Sequence, residues 1–171
     1  MNLLNVAPDR GKKPVEREFS AGGVVVRGDE CVVLVPFRRS QDRRKVLALP
    51  KGHIDPGEKA PQTAIREVRE EGGVDSELVE KLGDITYWYQ TKENRIFKKV
   101  SFFLLRYLSG DPADHDHEIE EARWMPLEEA RTALSYDGER EMASLRPPLK
   151  RIRTSRSSLR TGQTSTPAGA S

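Results

Sequence analysis

The chain has 171 residues, 36% hydrophobic and 33% charged, with a formal net charge of +2 and a single cysteine. That length suits one domain of about 100–150 residues with tails. The lack of any apolar run near ~18 residues argues against a membrane span, and one cysteine rules out an internal disulfide.

The near-neutral balance hides an asymmetry. Of 29 Lys/Arg and 27 Asp/Glu, six basic and no acidic residues follow Leu145; 29 less 6 leaves 23 against 27, a body of about −4.

In chain order, residues 1–16 are polar, with Pro8, Gly11 and Pro14, and read as a flexible leader. They lack the apolar stretch of a secretory signal, so the expected home is the cytoplasm. From Glu18 the pattern becomes strand-like: FSAGGVVVR, a turn at Gly28–Asp29, then CVVLVPF, together a hairpin with Cys31 as a small core residue. A basic loop, RRSQDRRK, leads to VLALP, a short strand ended by Pro50. The segment Lys59–Glu71 reads as a helix, with Ala60, Ala64, Ile65 and Val68 as its apolar stripe and Gly72–Gly73 as its stop.

Two long strand-like segments follow, LVEKLGDITYWYQ and RIFKKVSFFLLRYL, joined by the turn TKEN. After the acidic loop GDPADHDHEIEE comes a short strand, ARWM. Pro126 opens a helix through LEEARTAL, and a further helical piece runs from Glu139 to Leu145. The expected domain covers residues 17–146; residues 147–171, rich in Ser, Thr and Arg, lack apolar content to pack and read as a disordered tail. Strands and helices mix without regular βαβ alternation, so the fold class is α+β.

The chemistry concentrates in Gly52–Val74. Glu67, Glu70 and Glu71 fall within one helical arc of roughly 100°. Like charges so spaced, at the end where the macrodipole disfavours anions, cost stability unless a cation covers them. Hard oxygen ligands suit Mg²⁺, with Mn²⁺ as the alternative. A solvated Glu/Arg face would look similar on the helix alone. Two turns precede it, Pro50-Lys51-Gly52-His53 and Asp55-Pro56-Gly57-Glu58, where glycine lets the backbone approach a ligand and Lys51 suits a phosphate.

This segment resembles the Nudix box, G-x5-E-x7-R-E-U-x-E-E-x-G-U, with U a bulky aliphatic residue. Gly52, Glu58, Arg66, Glu67, Val68, Glu70, Glu71, Gly73 and Val74 fill every fixed place. With AGGVVV ahead and Trp124 and LEEA behind, the resemblance covers roughly residues 16–145. It implies an α/β/α sandwich on a mixed β-sheet and hydrolysis of a phosphoanhydride by metal-activated water. It further implies that Glu67, Glu70, Glu71 and the Gly52 carbonyl hold the metals, that Arg66 pairs with Glu70, and that Glu58 supports the loop. The general base is Glu71 or Glu118, the latter in DHDHEIEE; Asp114, Asp116, Glu120 and Glu121 read as solvated. His115 and His117 carry only a weak metal signal.

The wording LPKGHIDPGE looks most like the Ap4A-type dinucleoside polyphosphate hydrolases of that family, which also place a tyrosine beyond the box. Tyr87 and Tyr89 share a strand face and could stack on a base, with Trp88 opposed. Lys98 and Lys99 lie on opposite faces, so one of them can join Lys51 and His53 at the phosphates. The alternatives are an ADP-ribose or oxidised nucleoside triphosphate hydrolase, or a silent nucleotide-sensing module, whose usual mark, loss of a box glutamate, is absent. The expected partner is a small nucleotide; the basic runs would add only salt-dependent, non-specific nucleic-acid contact.

Overall fold

The structure, a computed structural model, describes residues 13–37 and 45–145. The stretch 1–12, most of the basic loop and the C-terminal tail lie outside the described residues. The elements are β1 (Val15–Arg27), β2 (Glu30–Pro36), β3 (Lys51–His53), α1 (Ala60–Gly72), β4 (Val74–Gln90) and β5 (Arg95–Gly110). A 3₁₀ turn at Pro112–Asp114 leads to β6 (Ile119–Pro126), α2 (Leu127–Ala133) and α3 (Asp137–Ser144).

Among the described residues the strands form one mixed sheet, ordered β4-β5-β1-β2-β6, with β3 added to β1. The pair β1/β5 is parallel from Val15↔Arg95 to Val26↔Arg106; the other pairings are antiparallel. The other edge of β1 is shared. Val26 and Arg27 pair with β2, closing the expected hairpin, whereas Ser20–Gly22 pair with β3. The candidate site lies beside β3, between the end of α1 and the β4–β5 hairpin.

Hydrophobic faces dictate the layers. Ala64 and Val68 of α1 pack on Ala21, Val25, Val32, Phe103 and Leu105. Ala130 of α2, Met142 and Ala143 of α3 and Leu134 between them cover Val24, Val26, Val33, Phe102 and Leu104 on the opposite face. Period-2 alternation in β1 and β5 sends alternate residues to the two cores, each buried Val or Leu contributing about 1.5–3 kcal/mol. This is the α/β/α sandwich expected.

Two local expectations change. VLALP is no strand: it meets β2 at a single bridge, Leu34↔Ala48, and the pairing strand starts at Lys51, past Pro50, whose missing N–H interrupts a ladder. Consequently Lys51–His53 is strand rather than part of a tight turn. The second turn is present, closed by Glu58 N–H donating to Asp55 O at 2.9 Å. The first strand begins at Val15, inside the stretch read as leader. No helix among the described residues is long and apolar enough to cross a membrane.

Candidate functional site

The helix α1 stops where the site needs it to. Gly73 adopts φ 69°, the left-handed region that glycine enters at least cost, and its N–H returns to Arg69 O at 3.1 Å. The stop leaves Glu67, Glu70 and Glu71 on the last two turns, facing β3. Glu67 is buried against Gly52 so closely that a Cβ there would lie 2.0–2.4 Å from its carboxylate atoms. Glycine is thus required by the close approach.

Arg66 ties this end together. Its Nε and Nη2 donate to Glu58 at 2.9 and 3.0 Å, and Nη1 donates to Glu67 at 2.7 Å and to Glu70 at 2.9 Å. Nη2 also reaches His53 O at 3.1 Å. One guanidinium so joins the loop, β3 and two box glutamates, with Asp55 also within 3.7 Å; the expected Arg66–Glu70 pair is one of several partnerships. Hydrogen bonds from Arg66 and Thr63 hold the Glu58 carboxyl at about 2.

Glu71 lies on the other side of β3, where its Oε2 accepts the Lys51 N–H at 2.7 Å. Burial raises its carboxyl to about 7, against the opposing pull of Lys51; Glu67 and Asp116 push the same way as burial. Burial likewise raises Glu67, against Arg66. Lys51 lines the cleft as well, but its ammonium is already engaged there. Its Nζ pairs with buried Glu139 at 3.2 Å and donates to Leu49 O at 3.4 Å.

A cleft of about 270 Å³ runs from this end to the β4–β5 hairpin, with Gly52, Glu71, His53, Tyr87, Lys98 and Val100 in its walls. Tyr87 and Tyr89 share a face, centroids 6.3 Å apart, while Trp88 packs on Phe97 on the opposite face. Lys98 lies opposite Tyr87 and donates to Glu18 at 2.8 Å, with His53 Nε2 at 3.3 Å. Tyr89 donates to the other Glu18 oxygen at 2.7 Å, which lifts its phenol to about 12. Lys99 faces away, paired with Asp84 at 2.9 Å. Of the two lysines, Lys98 is the one in the cleft.

Glu118 is exposed, and its N–H donates to Asp116 Oδ1 at 3.0 Å. Asp116, read from sequence as merely solvated, is the loop residue tied to the site: its N–H donates to Glu70 O at 2.8 Å and its charge acts on Glu71. Glu18 and Glu139 are further members that sequence reasoning missed. Glu139 left a signal, a carboxylate at helical spacing from the buried Met142 and Ala143.

Among the described residues no three acidic, His or Cys side chains enclose a common point as they stand. Glu67 and Glu70 face Arg66, and Glu71 faces the Lys51 N–H. The donor set nevertheless fits a hard divalent cation: carboxylates and a carbonyl at one helix end, two of the carboxylates raised by burial, against a backbone that admits no side chain.

A model described as NUDIX domain matches residues 16–145. The chain is 40% identical over 146 residues to a candidate mutator protein, MutT4, of Mycobacterium tuberculosis (strain CDC 1551 / Oshkosh), an alignment covering 81% of the chain and 59% of that protein. It is 33% identical over 95 residues to the 8-oxo-(d)GTP phosphatase of Mycolicibacterium smegmatis (strain ATCC 700084 / mc(2)155), covering 56% of the chain and 28% of that protein. Among solved structures, a C. elegans Ap4A hydrolase binary complex superposes with a TM-score of 0.53 at 25% identity, covering 75% of this chain and 93% of that one.

Proposed function

The chain belongs to the Nudix family, and we propose that it hydrolyses a phosphoanhydride bond in a nucleoside diphosphate derivative, using Mg²⁺ or Mn²⁺. The observation that carries this reading is the cleft itself, with Gly52 and Glu71 at one end and an aromatic and a lysine at the other. In the reaction a water oxygen bonds to phosphorus while the bridging P–O bond breaks, its electron pair leaving on the departing phosphate.

Glu67, Glu70, Glu71 and the Gly52 carbonyl would hold the cation. Bound there, it offsets charge on the phosphate oxygens and makes water easier to deprotonate. Glu71 is the assigned base. Its Oε2 is held by the Lys51 N–H and the residue lines the cleft, so its carboxylate is placed to take the proton of the attacking water. Arg66 orients Glu67 and Glu70, and Glu58 orients Arg66. Lys98 and His53 are assigned to the phosphate chain, Tyr87 to the base.

For the substrate we favour dinucleoside polyphosphates of the Ap4A kind. LPKGHIDPGE, the Tyr87–Lys98 pair and the likeness to the C. elegans Ap4A hydrolase support this. A second reading, an oxidised nucleoside triphosphate, is supported by the similarity to the M. smegmatis 8-oxo-(d)GTP phosphatase. Assay of the purified chain with Mg²⁺ on Ap4A, ADP-ribose, the dNTPs and 8-oxo-dGTP separates them. Ap4A should show the highest kcat/KM; faster turnover of 8-oxo-dGTP replaces the first reading with the second, and no turnover of any refutes both.

A further inference from the structure

The buried carboxylate of Glu139 sits 90 residues from Leu49, whose N–H it accepts, and has no place in the chemistry assigned above. On α3, which packs on the sheet face opposite α1, Glu139 is 3% exposed. Its Oε2 accepts the Leu49 N–H at 2.8 Å and its Oε1 pairs with Lys51 Nζ at 3.2 Å. These contacts bracket Pro50, whose carbonyl accepts the Gly23 N–H at 3.1 Å. On the far side of the same segment the Lys51 N–H is held by Glu71. Leu49–Gly52 is therefore gripped from both layers of the sandwich at once.

A buried carboxylate is costly unless its oxygens are satisfied, and here the backbone N–H and the ammonium do so. The pair also commits Lys51. Its Nζ lies 3.2 Å from Glu139 Oε1 and donates to Leu49 O, so the charge is directed into the strut.

We propose that Glu139, acting through Lys51 and the Leu49 N–H, is a positioning residue that holds β3 so that Gly52 O and Glu71 stay in register. The catalytic consequence rests on the hydrolase reading above; the structural one does not. A merely stabilising role would lower thermal stability without altering the split between kcat and KM, and Met142→Ala, a core change on the same helix, gives that reference.

The test uses the full chain and Glu139→Gln, Lys51→Met and the double variant, with kinetics and amide hydrogen exchange. Glu139→Gln should speed exchange at Leu49 and Lys51 by on the order of tenfold while the α1 interior is unchanged. Either single variant should lower kcat by about tenfold with KM within about twofold, and the double variant should lose little more than either single one, since all three break the same strut. Met142→Ala should leave kcat and KM unaltered below its unfolding transition.

Wild-type protection at Leu49 and Lys51 in Glu139→Gln would overturn the proposal, as would Lys51→Met raising KM by about tenfold at unchanged kcat, since Lys51 would then be a phosphate contact. A chain without hydrolase activity that still shows the exchange effect would refute the function and leave the strut standing.

Discussion

The two ends of the cleft are built on opposite terms. At the α1 end, Glu67 is packed under a backbone with no room for a Cβ, Glu71 is held by the Lys51 N–H, and Arg66 locks two box glutamates to the loop. At the hairpin end, Tyr87 and Tyr89 are exposed and Lys98 rests on a single neighbouring carboxylate, Glu18. The first end is over-determined because chemistry tolerates little displacement of its groups; the second needs only to present a ring and a charge. Substitutions at the α1 end should therefore act on turnover, and those at the hairpin end on binding.

The largest effect should come from Glu71→Gln, which removes the proton acceptor: turnover should fall at least about 10³-fold, with the fold intact by circular dichroism. Gly52→Ala should follow. Its methyl would displace the flexible Glu67 carboxylate rather than backbone, so kcat should drop about 10²-fold while the thermal midpoint shifts by no more than about 4 °C.

Arg66→Ala should cost about 1–3 kcal/mol of stability by denaturant titration, as it strips partners from Glu58, Glu67 and Glu70, with a milder loss of turnover than Glu71→Gln. At the hairpin end, Tyr87→Ala should raise KM roughly fivefold, about 1 kcal/mol of stacking, and leave kcat near wild type. A fall in kcat instead would erase the contrast between the ends.

The smallest effect concerns Asp84. Burial alone would raise its carboxyl, yet hydrogen bonds from Lys81, Ser101 and Lys99 prevail and hold it below the usual carboxylate range. A depressed folded pKa contributes stability above the unfolded value, near about 3.9, and loses it as pH falls toward the folded one. Stability measured from about pH 5 to 2 should therefore decline less steeply in Asp84→Asn, with a difference near neutrality of about 0.5 kcal/mol.

The same contrast explains what could be read from the chain alone. Spacing on a helix is rigid, so Glu67, Glu70 and Glu71 on one arc and the glycine stop followed from residue order, while the Arg66–Glu70 pairing was implied by the resemblance to the Nudix box. The strand faces of Tyr87, Trp88 and Tyr89 were also legible, because the register irregularities of β4 end at Gly83. Contacts between distant segments were not. That Lys51 pairs with Glu139 shows only when α3 is brought against it; Glu18 and Asp116 matter only once the sheet and the loop place them. VLALP looks like a strand because its apolar pattern is right, but pairing depends on where β1 is free to accept a partner.

The account stands on cation binding at the end of α1, and direct titration of Mn²⁺ into the full chain and into Glu71→Gln measures it without any substrate. The wild-type chain should bind the ion and the variant should bind it at least about tenfold more weakly. Equal affinity in both, or none in the wild type, would contradict the assignment of these glutamates.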